Sequence, residues 1–138
     1  MNYARIAVAS LGSFVAYFVF GGLVFALVPS LKLEFERHSN IYRGHDGIMK
    51  MMPLGMGFTL IAITALAVLY ALIYRSGFGL YEGARFGVIV GVFVISAFVM
   101  HNYVNLNIGA RLAVVQSIAY FIQWALVGVV IGAIYRAN

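Results

Sequence analysis

The polar positions of this chain fall in short clusters, and between them lie four long stretches that are almost wholly apolar. The first runs from Ile6 to about Val28 and the second from about Met51 to Tyr74. The third runs from about Phe86 to His101 and on to Tyr103, and the fourth from about Leu112 to Tyr135. A membrane-spanning helix takes about 20 apolar residues, because the hydrocarbon core is about 30 Å thick and a helix rises about 1.5 Å per residue. Lipid offers no partner to a free N–H or C=O group, so the spans are expected as helices. Barrel strands would alternate in polarity, and these runs do not. The pattern predicts an all-α, four-helix transmembrane bundle forming one integral membrane domain over residues 1–138. Its helices are expected at about 6–28, 51–74, 86–103 and 112–135.

The longest polar stretch is the extramembrane connection over residues 29–50. Pro29 closes the first helix, since proline cannot continue one without losing a hydrogen bond. Leu31, Leu33 and Phe35 then alternate with Lys32, Glu34 and Glu36. That alternation reads as a half-buried strand or, for want of a partner strand, as a segment lying along the membrane surface. Asp46-Gly47 reads as a turn ahead of the second helix. The chain also carries an internal echo. Leu72-Ile73-Tyr74-Arg75 and Ala133-Ile134-Tyr135-Arg136 end the second and fourth spans, while Ala4-Arg5-Ile6 and Ala84-Arg85-Phe86 open the first and third. Two helical hairpins repeated about an axis along the membrane normal would produce this pattern. Chance alignment of apolar helices with interfacial Tyr-Arg ends would produce it too.

Composition sharpens the picture. Apolar residues make up 64% of the chain and charged residues 9%, with a mean hydropathy of +0.99. A soluble domain carries about 25% charged residues, so that class is excluded. Cysteine is absent, which removes disulfides, thiolate metal sites and Cys nucleophiles. The first apolar run is longer than the core of a signal peptide, about 7–15 residues, and lacks a small-x-small cleavage site, so it reads as a retained helix. Four spans put both termini on one side with Arg5, Arg75, Arg85 and Arg136 close to the helix ends. The other side holds Lys32, Arg37, Arg43, Lys50 and Arg111. The tighter arginines favour cytoplasmic termini. The net charge of +5 suits headgroups and anionic lipid. Nucleic acid is not an expected partner, since no clustered basic patch with exposed aromatics is present.

Within the spans, glycines at 79, 83, 87 and 91 form one stripe into the third helix, and Gly128 and Gly132 a pair in the fourth. Small stripes let helix backbones approach closely in lipid. They serve packing inside the bundle, a homo-oligomer seam, or docking to a larger membrane complex. The spans hold no Asp, Glu, Lys or Arg away from their ends, which argues against a buried ionic carrier for coupled transport. The buried glutamate of four-helix multidrug exporters and the polar helix break of dual-topology fluoride channels have no counterpart. The remaining polar groups are His101, Asn102 and Asn105 at the end of the third helix and Gln116, Tyr120 and Gln123 in the fourth. The short connection between these helices should bring the two groups together. His38, His45 and Asp46, with Glu34 and Glu36, share that side, so three histidines and three carboxylates would converge there. Imidazole and carboxylate suit Zn, Fe or Ni, although no helical ligand pair with metal spacing occurs. No cofactor is expected. His101 also reads as an end-of-helix residue bonded to Asn105 or a glutamine. Glu82 and Arg85 are spaced to pair across one turn, with Arg75 within reach.

Tyr81-Glu82-Gly83-Ala84-Arg85-Phe86-Gly87, followed by an apolar helix and His101-Asn102-Tyr103-Val104-Asn105, resembles small four-span bacterial inner-membrane proteins without assigned function. Met52-Pro53-Leu54-Gly55 matches more loosely. The resemblance implies the four-helix fold and a place in the bacterial inner membrane, and nothing about substrate. Three functional readings suit such a chain. The first is a non-enzymatic accessory or assembly-forming membrane protein that packs through its Gly faces. The second is a small permease or channel-like module with a neutral polar path along His101, Asn105, Gln116, Tyr120 and Gln123. The third is a metal- or quinone-binding subunit at the extracytoplasmic face.

Overall fold

A computed structural model of the chain describes residues 1–74 and 79–135. Helix α1 spans Tyr3–Leu27, α2 Pro29–Arg37 and α3 His45–Ile73. Helix α4 spans Gly79–Val94, a π-helical segment occupies Ile95–Val99, α5 is Met100–Asn105, and α6 is Ala110–Ile134. The segment from α4 to α5 is one continuous rod, Gly79–Asn105, and with α1, α3 and α6 it makes four helices long and apolar enough to cross a membrane. The chain is an all-α four-helix membrane bundle. Val8, Leu11, Val15 and Val19 stand exposed along α1, a stripe at helical spacing that suits contact with lipid tails.

Two expectations for the connection need correction. Residues 29–37 form a helix, and no strand occurs among the described residues. Pro29 ends α1 and at the same time opens α2, because its missing N–H falls where a helix has no partner for it. Leu31 and Glu34, three apart, are the buried positions, so the face that matters has helical spacing. The alternation of Leu31, Leu33 and Phe35 is incidental to it. The Asp46-Gly47 turn is likewise absent. Gly44 caps α3, and Asp46 lies in its first turn, where a carboxylate meets the positive end of the helix dipole.

The helices do not pack alike. Along α4 and α6 the backbones touch. A Cβ on Gly87 would sit 2.6 Å from the Ala125 carbonyl oxygen, and one on Gly83 would strike the Gly128 carbonyl and lie 2.8 Å from the Gly132 Cα. The Gly79 carbonyl meets Gly132 in the same way. Helix α1 lies on the next side of α6 through small residues and two polar links. Ser13 Oγ donates to the Val127 carbonyl at 3.3 Å, and Gln123 Nε2 donates to the Tyr17 carbonyl at 2.8 Å. Helix α3 leans on α1, and it meets α4 at the terminal end, where the Tyr70 hydroxyl donates to the Gly79 carbonyl. The two hairpins of the sequence echo are therefore joined unequally, one along a glycine seam and the other through side chains. Arg75 and Arg136, two of the helix-end arginines, lie outside the described residues.

Two clusters of buried apolar side chains hold the ends. Ile6, Ile63, Ala67, Tyr70, Phe86, Val127, Ile131 and Tyr135 draw all four spans together near the termini. Leu31, Ile108 and Leu112 fasten α2 across the start of α6 at the other end.

Candidate functional site

Between these clusters the bundle opens. The glycine stripe of α4 ends at Gly91, which packs on Phe121. One turn later stands Ile95, where the π-helical segment begins. A π turn adds a residue to the helix, and through it the rod stays packed on α6, with Val99 buried. Beside it lies a chamber of about 650 Å³ between α1, α3, the α4–α5 rod and α6. Its walls include Ala62, Ala65 and Leu66 of α3, Val90, Phe93, Phe98 and Asn102 of the rod, Gln116, Tyr120 and Trp124 of α6, and Tyr17 of α1.

A smaller lobe of about 380 Å³ adjoins it on the other side of Tyr17, Gln116 and Tyr120, against Gly21, Gly22, Phe25 and Met52. Gly21 leaves room for the Gln123 amide, 3.0 Å from where its Cβ would be, while a Cβ on Gly22 would meet nothing. A third hollow of about 630 Å³ lies beyond α2, between Phe25, Lys32, Glu36, Tyr42 and Ile48. Phe35 of α2 lines all three spaces. It stacks on Phe25 at 5.7 Å and meets Tyr42 edge-on at 4.7 Å, so α2 is the roof of the chamber.

The roof is tied down by polar contacts as well as by Leu31. Glu34 is buried, accepts from Arg37 Nη1 at 2.9 Å, and lies 3.8 Å from Arg111 Nη1 at the head of α6. His38 Nε2 accepts from the Gly109 N–H at 3.2 Å, and its Nδ1 lies 2.8 Å from the Glu34 carbonyl. A ring that accepts through Nε2 and donates through Nδ1 is neutral imidazole with its proton on Nδ1.

The predicted polar residues divide. Gln116, Tyr120 and Asn102 line the chamber, and Gln123 braces α6 against α1 beneath it. His101 and Asn105 are exposed, and Asn105 Nδ2 donates to the His101 carbonyl at 2.9 Å. Neither is part of the chamber lining. Nor do the histidines and carboxylates converge. His38 is engaged with backbone, and His45 and Asp46 form an exposed neighbouring pair at 3.5 Å. No group of three or more His, Asp or Glu gathers among the described residues. The glycine faces at 79, 83, 87, 91, 128 and 132 are turned on other residues of the same chain, mostly on one another. Arg85 and Glu82 pair at 3.6 Å with both side chains well exposed; the Arg75 part of that expectation lies outside the described residues.

Tyr17, Trp124 and Phe35 are chamber residues that the sequence did not mark as part of a site. Tyr17 sits mid-span among other aromatics, and nothing in its neighbours along the chain marks it. Its ring lies 5.2 Å from that of Trp124. Comparison with family models, with curated proteins and with solved structures returned no match. Function is read from the chamber itself.

The chamber's chemistry is neutral. Among the described residues its lining holds no Asp, Glu, His, Lys or Arg, and its polar groups are tyrosine hydroxyls, two amides and one indole N–H. Among the described residues, every fully buried side-chain N or O has a hydrogen-bond partner. The open space of the chamber is what reaches the Tyr17, Gln116, Tyr120 and Trp124 polar atoms.

Proposed function

We propose that this protein is a small, non-enzymatic, multi-pass protein of a bacterial inner membrane that holds a neutral amphipathic molecule of the bilayer in the chamber. The observation that carries the reading is an apolar chamber whose unbonded polar groups, on Tyr17, Gln116, Tyr120 and Trp124, are all uncharged. A concave, mostly apolar site with a few convergent polar groups is the common form of a small-molecule site. A through path is disfavoured, because Tyr70, Phe86, Ile131 and Tyr135 fill the bundle at the terminal end. Self-association or docking to a larger complex, where it occurs, uses the outward apolar faces. Arg5 and Arg85, at the terminal end, support cytoplasmic termini, and the likeness at Tyr81–Gly87 supports the bacterial setting.

The test is photolabelling of the reconstituted protein with a diazirine-bearing fatty alcohol, with adducts mapped by mass spectrometry. Adducts are expected at Tyr17, Tyr120 and Trp124, saturating with probe. Adducts confined to outward residues such as Phe58 and Ile89, rising without saturation, would overturn the reading. Orientation is read separately by placing single cysteines at Tyr3 and His45 of this cysteine-free chain. A membrane-impermeant maleimide applied to intact cells should label His45→Cys and spare Tyr3→Cys.

A further inference from the structure

Resting on that reading, we propose that the occupant belongs to the class of membrane quinones: a flat, uncharged head with ring carbonyls, carried on a long apolar chain. The chamber's polar groups set the head chemistry. The Trp124 indole N–H can only donate. Within the described chain it makes no hydrogen bond, and neither do the Tyr17 and Tyr120 hydroxyls or the Gln116 amide. A donor left without a partner in an apolar setting is costly, so an occupant that brings acceptors is favoured over one that brings donors.

Shape makes the same choice. Tyr17 and Trp124 stand with ring centroids 5.2 Å apart, and Phe93 and Phe98 at 6.0 Å present further ring surface to the same space. Phe93 and Phe98 are more than half exposed and border the open side of that space, so the Tyr17 and Trp124 rings are the ones placed to take a planar ring by stacked or edge contacts. Volume fits as well, since about 650 Å³ lies inside the range of roughly 300–1,000 Å³ usual for small-molecule sites. The adjoining lobe beside Gly22 gives an apolar chain somewhere to lie. The absence of charge in the lining excludes phosphate-bearing headgroups from the chamber, because a buried charge without a counter-charge is not tolerated. Binding alone is proposed, with no redox step.

The experiment uses the protein's single tryptophan, Trp124, as reporter. The full chain in neutral-lipid vesicles is titrated with a decyl-substituted benzoquinone and, in parallel, with decylbenzene, which keeps the ring and chain but lacks the carbonyls. Saturable quenching by the quinone is expected. Decylbenzene is expected to compete for it at least tenfold less well, since two neutral hydrogen bonds are together worth about that factor. The double variant Tyr17→Phe, Tyr120→Phe keeps ring packing and should weaken quinone binding by about the same factor, with decylbenzene competition unchanged. Equal affinity for the two compounds, or a double variant that binds the quinone as the parent does, overturns the quinone assignment while leaving a chamber for amphiphiles. Quenching that rises only with partition into lipid, together with no chamber adducts from the fatty alcohol, overturns both.

Discussion

The two ends of this bundle solve the same problem in opposite ways. Near the termini α4 and α6 meet backbone to backbone at Gly83, Gly87, Gly128 and Gly132, and no space is left. Toward the connection the rod turns π-helical at Ile95, and a chamber lies between it, α6 and the other two spans. Lipid gives helices no hydrophobic reason to associate, so stability comes from close contact and from hydrogen bonds. Between α4 and α6 the terminal half takes that contact in full. The other half gives some of it up, and a short helix roofs the space that results.

The sharpest way to break this contrast is to put a side chain in the seam. Gly87→Leu would drive carbon into the Ala125 and Trp124 carbonyls. Backbone has no rotamer to escape through, so we expect a loss of about 3 kcal/mol or failure to fold, read by thermal unfolding in mild detergent. The matching change in the open half, Gly22→Leu, meets no atom at its Cβ and should leave folding intact while occupying the smaller lobe. Equal damage from the two variants would show that the halves do not differ as described.

Next in size is the roof. Glu34→Leu removes the acceptor that gathers Arg37 and Arg111, and about 1 kcal/mol of α2 docking should go with it. Amide exchange over residues 29–37 would quicken several-fold, with the terminal cluster unaffected. His38 is a second tie, accepting from the Gly109 N–H. His38→Phe removes that acceptor, so exchange over α2 should quicken there as well, by less than in Glu34→Leu.

The smallest effects sit where α1 meets α6. Gln123→Leu removes the bond to the Tyr17 carbonyl, and interhelical bonds of this kind in membranes are worth about 0.6 kcal/mol. Gly22→Ala should stabilise by about 0.5–1 kcal/mol, because alanine restricts the unfolded chain more than glycine does and its methyl meets nothing here. Both shifts are within reach of denaturant titration in detergent micelles.

Much of the architecture was legible along the chain. Long uncharged runs can only be spanning helices, and glycine at every fourth position can only be a close-contact face. The candidate site was legible in part. Gln116, Tyr120 and Asn102 stood out as polar residues in apolar surroundings, and they line the chamber. Tyr17, Trp124 and Phe35 were not legible as chamber residues, since an aromatic in a membrane helix looks the same whether it faces lipid, core or cavity. His38 and Glu34 looked like ligands or loop charges and serve instead as ties between α2 and α6.

What the chain by itself determined was the set of four apolar helices, their close-packing face, and the absence of charge in mid-span, because these arise from local hydropathy and side-chain size. Only the tertiary structure decided that the glycine face closes within one chain, that α2 folds over the bundle, and that a chamber opens beside the π-helical turn beyond Gly91. Those outcomes depend on which surfaces meet across tens of residues of sequence. Hydropathy cannot express that choice when every surface on offer is apolar.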